Sequence, residues 1–244
     1  MTLTILGNQG PYPGKGGVCS GYLVEAAGRR ILLDCGSGVL SALQQHLPLS
    51  GLDAIVLSHL HYDHFSDLLV FQYFMQLSVK SGLMAGPMPV WGPGTPQPHK
   101  SLLVASEYLD YTEITQQSRL DIGGVQLSFF RTAHPVESYA IRLEYGNKII
   151  VYTGDSKLCP GLADFSRGAG ILLADACFLH QEKQAGDLPH MSARECGILA
   201  READAGRLLL THFRPGSCLQ DHCKEALEVF SHTEAPDPGT RHDV

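Results

Sequence analysis

Three histidines and one aspartate lie within six residues of the chain, directly after a short apolar run. These side chains are His59, His61, Asp63 and His64, and the apolar run covers residues 54–57. A continuous apolar run predicts a strand buried on both faces, and ligand sites in α/β folds lie beyond the ends of such strands. Imidazole and carboxylate groups suit Zn²⁺, Mn²⁺ or Fe²⁺. The cluster therefore favours an α/β fold with a metal site at a strand end.

The shortness of this cluster bears on the number of metal ions. His59 and His61 can project to one side, while the following turn brings Asp63 and His64 toward a second centre. Two ions about 3.5–4 Å apart can use these four donors, whereas one ion cannot easily do so. A histidine-rich loop without metal is the alternative, and its apolar neighbours disfavour it. We expect the nearby Asp67 either to orient a ligand histidine or to cap the next helix.

The rest of the chain alternates strands and helices in an order that occurs twice. This order predicts two sheets packed face to face with helices outside them. We expect residues 1–232 to form a single domain and residues 233–244 to be a disordered tail. Strands are predicted at 2–6, 22–26, 30–33, 54–57, 88–91, 125–130, 139–144, 148–153, 171–173 and 207–211, and helices at 37–45, 66–81, 193–203 and 221–230.

Composition bears on the cellular compartment. No apolar run reaches the roughly 18 residues of a membrane span, and the N-terminus lacks the features of a signal peptide. The seven cysteines are scattered and include no C-x-x-C pair, as is typical of reduced thiols in a cytosolic protein. We therefore expect a cytoplasmic protein that does not cross a membrane.

Three further candidate ligands follow strand-like runs later in the chain. They are His134, Asp155 and His212. Each has an ordinary structural explanation when taken alone: a histidine at a strand end, an aspartate in a turn, and a residue that caps a strand. Their common position beyond strand ends, where ligand-binding residues collect, makes them candidates for the same site.

The segment from Ser58 to His64 resembles the H-x-H-x-D-H signature of the metallo-β-lactamase superfamily, and later segments resemble its further motifs in the same order. The resemblance covers nearly the whole chain and implies the αβ/βα four-layer sandwich of that superfamily. It also implies two divalent metal ions, with zinc expected first and manganese or iron as alternatives. The later segments are Thr132-Ala133-His134, Tyr152-Thr153-Gly154-Asp155 and Leu210-Thr211-His212-Phe213. The implied ligands are His59, His61 and His134 for one ion, Asp63, His64 and His212 for the other, and Asp155 as a bridge.

A histidine further along the chain indicates the branch of the superfamily. Residues 190–193 (His-Met-Ser-Ala) resemble a motif of the ribonuclease Z-like branch, in which a histidine pairs with an acidic residue at a strand end. Asp175 matches the acidic position, although ribonuclease Z usually has Glu there and a serine in place of Met191. The resemblance implies that Asp175 orients His190, which stabilises or protonates the phosphodiester. We therefore expect Asp63, His190 and Asp175 to be catalytic; a surface-loop histidine is the alternative for His190.

Spacing and net charge bear on the substrate. Ribonuclease Z carries a long basic arm for tRNA between the segments that match His134 and Asp155, whereas these residues are only 21 positions apart here. The net charge of −7 and the lack of a Lys/Arg cluster disfavour a long nucleic acid. We expect a metal-bridging hydroxide to attack a small phosphodiester, such as a cyclic nucleotide or a short nucleotide. A homodimer is implied by the resemblance alone.

Other functions of the same fold stay open. A hydrolase of a lactone, thioester or β-lactam generally lacks the pair formed by His190 and Asp175, and a redox diiron protein typically has Glu in place of His61. A ribonuclease that does not act on tRNA is a further alternative. A non-enzymatic metal-binding module is disfavoured because all seven implied ligands are present.

Overall fold

The computed structural model describes residues 1–184, 186 and 188–244. Two seven-stranded mixed sheets form its centre. The first sheet contains β1 (Thr2–Gly7), β2 (Gly21–Ala26), β3 (Arg29–Leu33), β4 (Ala54–Val56), β5 (Met88–Gly92), β6 (Leu109–Glu113) and β14 (Arg241–Asp243). The second contains β7 (Arg119–Ile122), β8 (Val125–Arg131), β9 (Tyr139–Tyr145), β10 (Lys148–Tyr152), β11 (Ile171–Asp175), β12 (Arg207–Thr211) and β13 (Thr233–Glu234). The strand orders are β14-β1-β2-β3-β4-β5-β6 and β13-β12-β11-β10-β9-β8-β7.

The two sheets share one layout. In each, consecutive antiparallel strands lead into parallel strands, which are β3 to β6 in the first sheet and β10 to β13 in the second. This repeated layout explains the strand and helix order that recurs in the sequence. No helix in the described part of the chain is long and apolar enough to span a membrane. The helices are α1 (Val39–Leu43), α2 (Tyr62–Phe65), α3 (Leu68–Lys80), α4 (Gln97–Val104), α5 (Leu162–Phe165), α6 (His180–Lys183), α7 (Ala193–Glu202) and α8 (Leu219–Leu227).

Three apolar clusters hold the layers together. The central cluster lies between the sheets and includes Ile31 and Ile171. A second cluster packs the outer face of the first sheet, including Leu32, against α1 and α3. A third packs the outer face of the second sheet, including Leu172, against α7. Alternate residues of one strand pack into different clusters, so both faces of each sheet are buried. For this reason the strands appear in the sequence as continuous apolar runs. The predicted αβ/βα four-layer sandwich is confirmed.

The end of the chain differs from the prediction of a disordered tail over residues 233–244. Its first part, β13, pairs in parallel with β12, and its last part, β14, pairs antiparallel with β1. Asn8 Nδ2 also donates a hydrogen bond to the carbonyl oxygen of Pro236 at 2.9 Å. The prediction of disorder was wrong because unpaired backbone groups at an open sheet edge can pair with another strand, and composition alone does not show this.

Candidate metal centre

The predicted site residues meet where strands of both sheets end. Parallel strands β10, β11 and β12 lie side by side, with Asp175 opposite Thr211. Their carboxyl ends therefore share one edge, and Asp155 and His212 follow two of these ends. On the first sheet, β4 ends just before His59, and Tyr139 N donates to the carbonyl oxygen of Ser58 at 3.0 Å across the two sheets. The fold thus brings the histidine cluster that begins at His59 and the later candidates Asp155 and His212 to one edge.

The first group of ligating atoms belongs to His59, His61, His134 and Asp155, and these atoms all lie within 4.8 Å of one another. His59 Nε2 lies 2.9 Å from His61 Nδ1, which lies 3.2 Å from His134 Nε2. Asp155 Oδ2 is 3.6 Å from His59 Nε2. The structure therefore brings together the three histidines expected at one ion and the carboxylate expected as a bridge.

The second group consists of Asp63, His64 and His212. Asp63 Oδ2 lies 3.2 Å from His212 Nε2 and 3.5 Å from His64 Nε2. Asp155 reaches this group as well, because its Oδ1 is 3.4 Å from His64 Nε2 and its Oδ2 is 3.4 Å from His212 Nε2. Asp155 therefore lies between the two groups.

The donor set fits divalent metal ions. His64 Nε2 and Asp155 Oδ1 are buried, and neither has a hydrogen-bond partner among the described residues. Buried polar groups normally have partners, so two such atoms facing each other call for a ligand between them. Imidazole nitrogens and carboxylate oxygens are donors that Zn²⁺ and related ions accept. These residues could therefore hold two metal ions.

Metal binding requires neutral imidazoles and ionised carboxylates, and the histidines of the two groups differ in this respect. Burial lowers the pKa of His61 to about 4 and also holds the pKa of His59 well below its ordinary value. Burial disfavours the charged form of Asp63, but the neighbouring His64 and His212 outweigh it and lower the pKa of that carboxyl. Burial lowers the pKa of His64 and of His212, but the neighbouring carboxylates outweigh it and raise both pKa values well above the ordinary value. His59 and His61 are therefore neutral at neutral pH, whereas an ion in the second group would displace a proton from His64 and from His212.

A buried aspartate that sequence analysis missed orients one histidine of each group. Asp34 Oδ2 accepts hydrogen bonds from His64 Nδ1 at 2.7 Å, from Ser58 Oγ at 2.7 Å and from Tyr152 OH at 2.8 Å. Ser58 Oγ in turn lies 3.1 Å from His59 Nδ1. Carboxylates in this position fix the ring orientation of metal-ligating histidines. The available signal was that Asp34 directly follows the apolar end of β3, as the ligands follow other strands.

Asp67 has neither of the two roles predicted for it. It precedes α3, but its side chain makes no capping hydrogen bond there. Instead, its Oδ2 accepts a hydrogen bond from the backbone of Leu40 at 3.0 Å. The carboxylate therefore tethers the start of α1 to the turn after the histidine cluster. The prediction failed because the partner is 27 positions away in sequence.

The expected His190 and Asp175 lie together beside the two groups. His190 Nδ1 is 2.7 Å from Asp175 Oδ2 and 3.7 Å from Asp155 Oδ2. The His190 ring stacks on that of His212, with centroids 5.0 Å apart. Burial lowers the pKa of His190, but the Asp175 and Asp155 carboxylates outweigh this effect and raise it above the ordinary value. The imidazole is therefore held in one orientation and favoured in its protonated form.

Cys177 was not singled out from the sequence, although it lies in this part of the site. Its thiol, together with atoms of Asp175, His190 and His212, forms a third group of closely spaced ligating atoms. Burial raises the pKa of the Cys177 thiol, so it remains protonated at neutral pH. This group contains the pair formed by Asp175 and His190 rather than the seven implied ligands, and we leave Cys177 outside the proposed ligand set.

Comparison with known proteins gives the family. Residues 29–213 match the family described as Beta-lactamase superfamily domain. The chain belongs to this superfamily. The matched segment contains every predicted metal ligand as well as His190 and Asp175.

Similarity to individual relatives covers almost the whole chain of this superfamily member. The Probable metallo-hydrolase YhfI of Bacillus subtilis is 33% identical over 95% of this chain and 94% of its own. The crystal structure of YhfI, a metallo-beta-lactamase fold protein, gives a TM-score of 0.93 at 31% identity, covering 99% and 98% of the two chains. Ribonuclease Z of Mycolicibacterium paratuberculosis is 30% identical over 88% of this chain and 86% of its own. The human short-form tRNase Z (ELAC1) shares the fold, with a TM-score of 0.78 at 20% identity and coverage of 100% and 99%.

These similarities confirm the predicted family, its fold and its likeness to ribonuclease Z. This superfamily member is accordingly a metallo-hydrolase.

Proposed function

We propose that this metallo-hydrolase is a phosphodiesterase that acts on a small phosphodiester of the cyclic or short nucleotide type. The observation that carries the proposal is the contact of 2.7 Å between His190 and the fully buried Asp175, beside Asp155. Phosphodiester cleavage needs charge stabilisation and a proton for the leaving oxygen, and a carboxylate-oriented imidazole supplies both.

Each candidate residue has a place in the proposal. We assign His59, His61 and His134 to one divalent ion, Asp63, His64 and His212 to the other, and Asp155 to a position between them. Zinc is the ion we propose, with manganese or iron as alternatives. When bound, the ions supply Lewis acidity and make nearby water more acidic. Asp63 has a double assignment as metal ligand and catalytic residue, because a carboxylate that holds the ion also positions it for the reaction.

We assign proton transfer to the leaving oxygen to the pair of His190 and Asp175. Since the Asp175 carboxylate can only accept, His190 Nδ1 donates to it, and Nε2 is left as the nitrogen that can face substrate. The raised pKa of His190 favours the form that carries a proton at Nε2. His190 then stabilises the negative oxygen of the attacked phosphodiester or delivers the proton to the leaving oxygen. Asp175 keeps the ring oriented for either role.

The shape of the chain near the site supports a small substrate. Between His134 and Asp155 the chain forms only a short loop, β9 and β10 joined by a turn, and a second short loop. The segment is therefore too short to carry an arm that could hold tRNA. The net charge of −7 also opposes a long polyanion at long range. A ribonuclease acting on short RNA is the second candidate, favoured by the 30% identity with a ribonuclease Z.

A substitution at His190 tests the proposal. We expect His190→Ala to lower kcat/KM on 3′,5′-cyclic AMP by about 10²–10⁴-fold with metal content unchanged, because one general acid contributes that much. The loss on bis-p-nitrophenyl phosphate is expected to be smaller, since p-nitrophenolate needs less protonation to leave. His46→Ala, which alters an exposed histidine, is the matched control. Unchanged turnover of both diesters would remove the basis for the phosphodiesterase assignment.

A further inference from the structure

Gly10 packs directly against the ring of His212, which is assigned above to the second ion. A Cβ atom at position 10 would lie 2.0 Å from His212 Nε2, 2.4 Å from its Cε1 and 2.5 Å from its Cδ2. Such short distances leave room for a glycine only, because glycine lets the backbone approach another group closely. Both residues are buried, and a close-packed interior offers little space into which either could move.

The three distances also show which part of the ring Gly10 covers. The two ring carbons are only slightly farther from the Cβ position than Nε2 is, as expected for a point above the face of the ring. A point in the ring plane, in front of Nε2, would lie much farther from both carbons. Gly10 therefore packs on the face of the imidazole and does not block the direction from which an ion binds Nε2, which lies in the ring plane.

The backbone at His212 is held by the same segment of the chain. His212 has a φ of 60°, in the left-handed region that residues other than glycine rarely adopt. Phe213 N donates a hydrogen bond to the carbonyl oxygen of Asn8 at 2.8 Å, and Gly10 N donates to the carbonyl oxygen of Phe213 at 3.1 Å. A strained backbone persists only where surrounding contacts hold it. Residues 8–10 therefore hold the backbone that follows His212 as well as its ring.

The position of the His212 ring determines the geometry of the second group. Its Nε2 lies 3.2 Å from Asp63 Oδ2 and 3.4 Å from Asp155 Oδ2. The ring also stacks on the ring of His64, with centroids 5.3 Å apart. A displacement of His212 would therefore disturb the donors of the second ion.

The two groups of ligands differ in their contacts with glycines. Gly36 packs on Asp63, since a Cβ atom at position 36 would lie 1.9 Å from the Asp63 carbonyl oxygen. In the described part of the chain, no glycine has an atom of His59, His61 or His134 among the nearest neighbours of its Cβ position. A substitution at a packed glycine should therefore affect the second ion and spare the first.

We propose that Gly10 is a positioning residue whose contact with His212 sets the affinity of the protein for the second ion. A side chain at position 10 would push the His212 ring away from the place where it ligates. The inference rests on the assignment of His212 to the second ion in the proposed function, but not on the kind of bond that is hydrolysed. Gly10 itself takes no part in bond cleavage.

Metal binding tests this proposal without catalysis. Equilibrium dialysis at a series of free Zn²⁺ concentrations, with the bound metal measured by mass spectrometry, resolves the two binding steps, and the step that His64→Ala abolishes is that of the second ion. We expect Gly10→Ala to weaken this step about 10–100-fold, the usual effect of losing a group that orients a ligand histidine, and to leave the other step unchanged. Gly86→Ala is the matched control, because a Cβ atom there would meet nothing within 4 Å. Unchanged binding of both ions in Gly10→Ala, or equal weakening of both, overturns the proposal.

A double-mutant cycle on the metal-free protein tests the contact itself. We expect Gly10→Ala to lower Tm in the wild-type background and to lower it less in the His212→Ala background, where the ring that the added Cβ would meet is absent. An equal decrease in both backgrounds overturns the contact. If Gly10→Ala does not fold, a double variant that folds supports the proposal and a double variant that does not fold overturns it.

Metal binding by His212→Ala separates failure of this proposal from failure of the ligand assignment. Loss of the second ion in His212→Ala, together with full binding in Gly10→Ala, overturns only the positioning role. Retention of both ions in His212→Ala overturns the assignment of His212 as a ligand instead.

Discussion

Asp175 contacts two imidazoles with different assignments: its Oδ2 lies 2.7 Å from His190 Nδ1 and its Oδ1 lies 3.5 Å from His212 Nδ1. The same carboxylate accepts hydrogen bonds from the backbone of Cys177 at 3.2 Å and of Ser156 at 3.3 Å. Its position is therefore fixed by the ends of neighbouring strands. A change at Asp175 should affect the proposed proton donor more than the metal site, because the distance to His212 exceeds that of a normal hydrogen bond.

The pH dependence of Asp175→Asn tests this link. Asp175 helps to raise the pKa of His190, and protonated His190 is lost as the pH rises through that pKa. Removing the charge lowers the pKa, so the alkaline limb of the kcat profile should move to lower pH. We expect kcat near neutral pH to fall about 10–100-fold, as for other residues that orient catalytic or ligating histidines. Asp164→Asn is the control, and an unmoved alkaline limb in Asp175→Asn would contradict the assignment of His190.

Asp34 should control metal affinity rather than chemistry. Asp34→Asn removes the charge that contacts His64 directly and His59 through Ser58. We expect metal affinity to fall about 10–100-fold, the usual effect of such partners, as measured by competition with a chromogenic chelator. Asp53→Asn, which alters a carboxylate paired with Arg29 at the surface, is expected to leave affinity unchanged. Equal metal affinity in Asp34→Asn and wild type would show that Asp34 is not needed to orient the histidines.

Removal of metal ions should lower the stability of the fold. The site holds closely spaced carboxylates and imidazoles that a cation would bridge. A ligand present at 100 times its Kd stabilises a folded protein by about 2.7 kcal/mol, so a chelator should lower Tm measurably in differential scanning calorimetry. Zn²⁺ or Mn²⁺ should restore Tm, whereas Ca²⁺, which prefers six to eight oxygen ligands, should restore less. A Tm that is independent of chelator would contradict the fit of these residues to metal.

The last residues of the chain should contribute to stability. Truncation after residue 232 removes β13 and β14 and their pairing with β12 and β1. We expect the free energy of unfolding in urea to fall by about 3 kcal/mol or more, because several backbone hydrogen bonds of about 1 kcal/mol each are lost. Glu234→Ala, which keeps the backbone pairing, is the control. An unchanged unfolding midpoint for the truncated chain would show that these strands add nothing.

The layers, and the meeting of the candidate site residues at one edge, could be predicted from the sequence because both depend on local pattern. Runs such as residues 171–173 are buried on both faces and therefore apolar at every position. His134, Asp155 and His212 each stand beyond such a run, and parallel strand ends meet at one edge of a sheet. The position of the site could therefore be predicted before any contact was known.

What the sequence did not predict depends on partners that are distant along the chain. Tyr152 and Asp34 are 118 positions apart and share a hydrogen bond, so the residues next to Asp34 in sequence could not show which side chains it contacts. The strand β14 forms because β1, at the other end of the chain, offers an open edge. Helix α4, which is not among the helices predicted from the sequence, follows Pro96, and its partners, including α3, lie elsewhere in the chain.

The central claim is tested most directly by kcat/KM of the metal-loaded wild-type protein on a matched panel of substrates. The panel contains 3′,5′-cyclic AMP, bis-p-nitrophenyl phosphate, a lactone, a thioester and a β-lactam, with metal content measured in the same samples. We predict about two bound ions per chain and the highest kcat/KM on a phosphodiester. A higher kcat/KM on the lactone, thioester or β-lactam, or no turnover of either phosphodiester with both ions bound, would contradict the account.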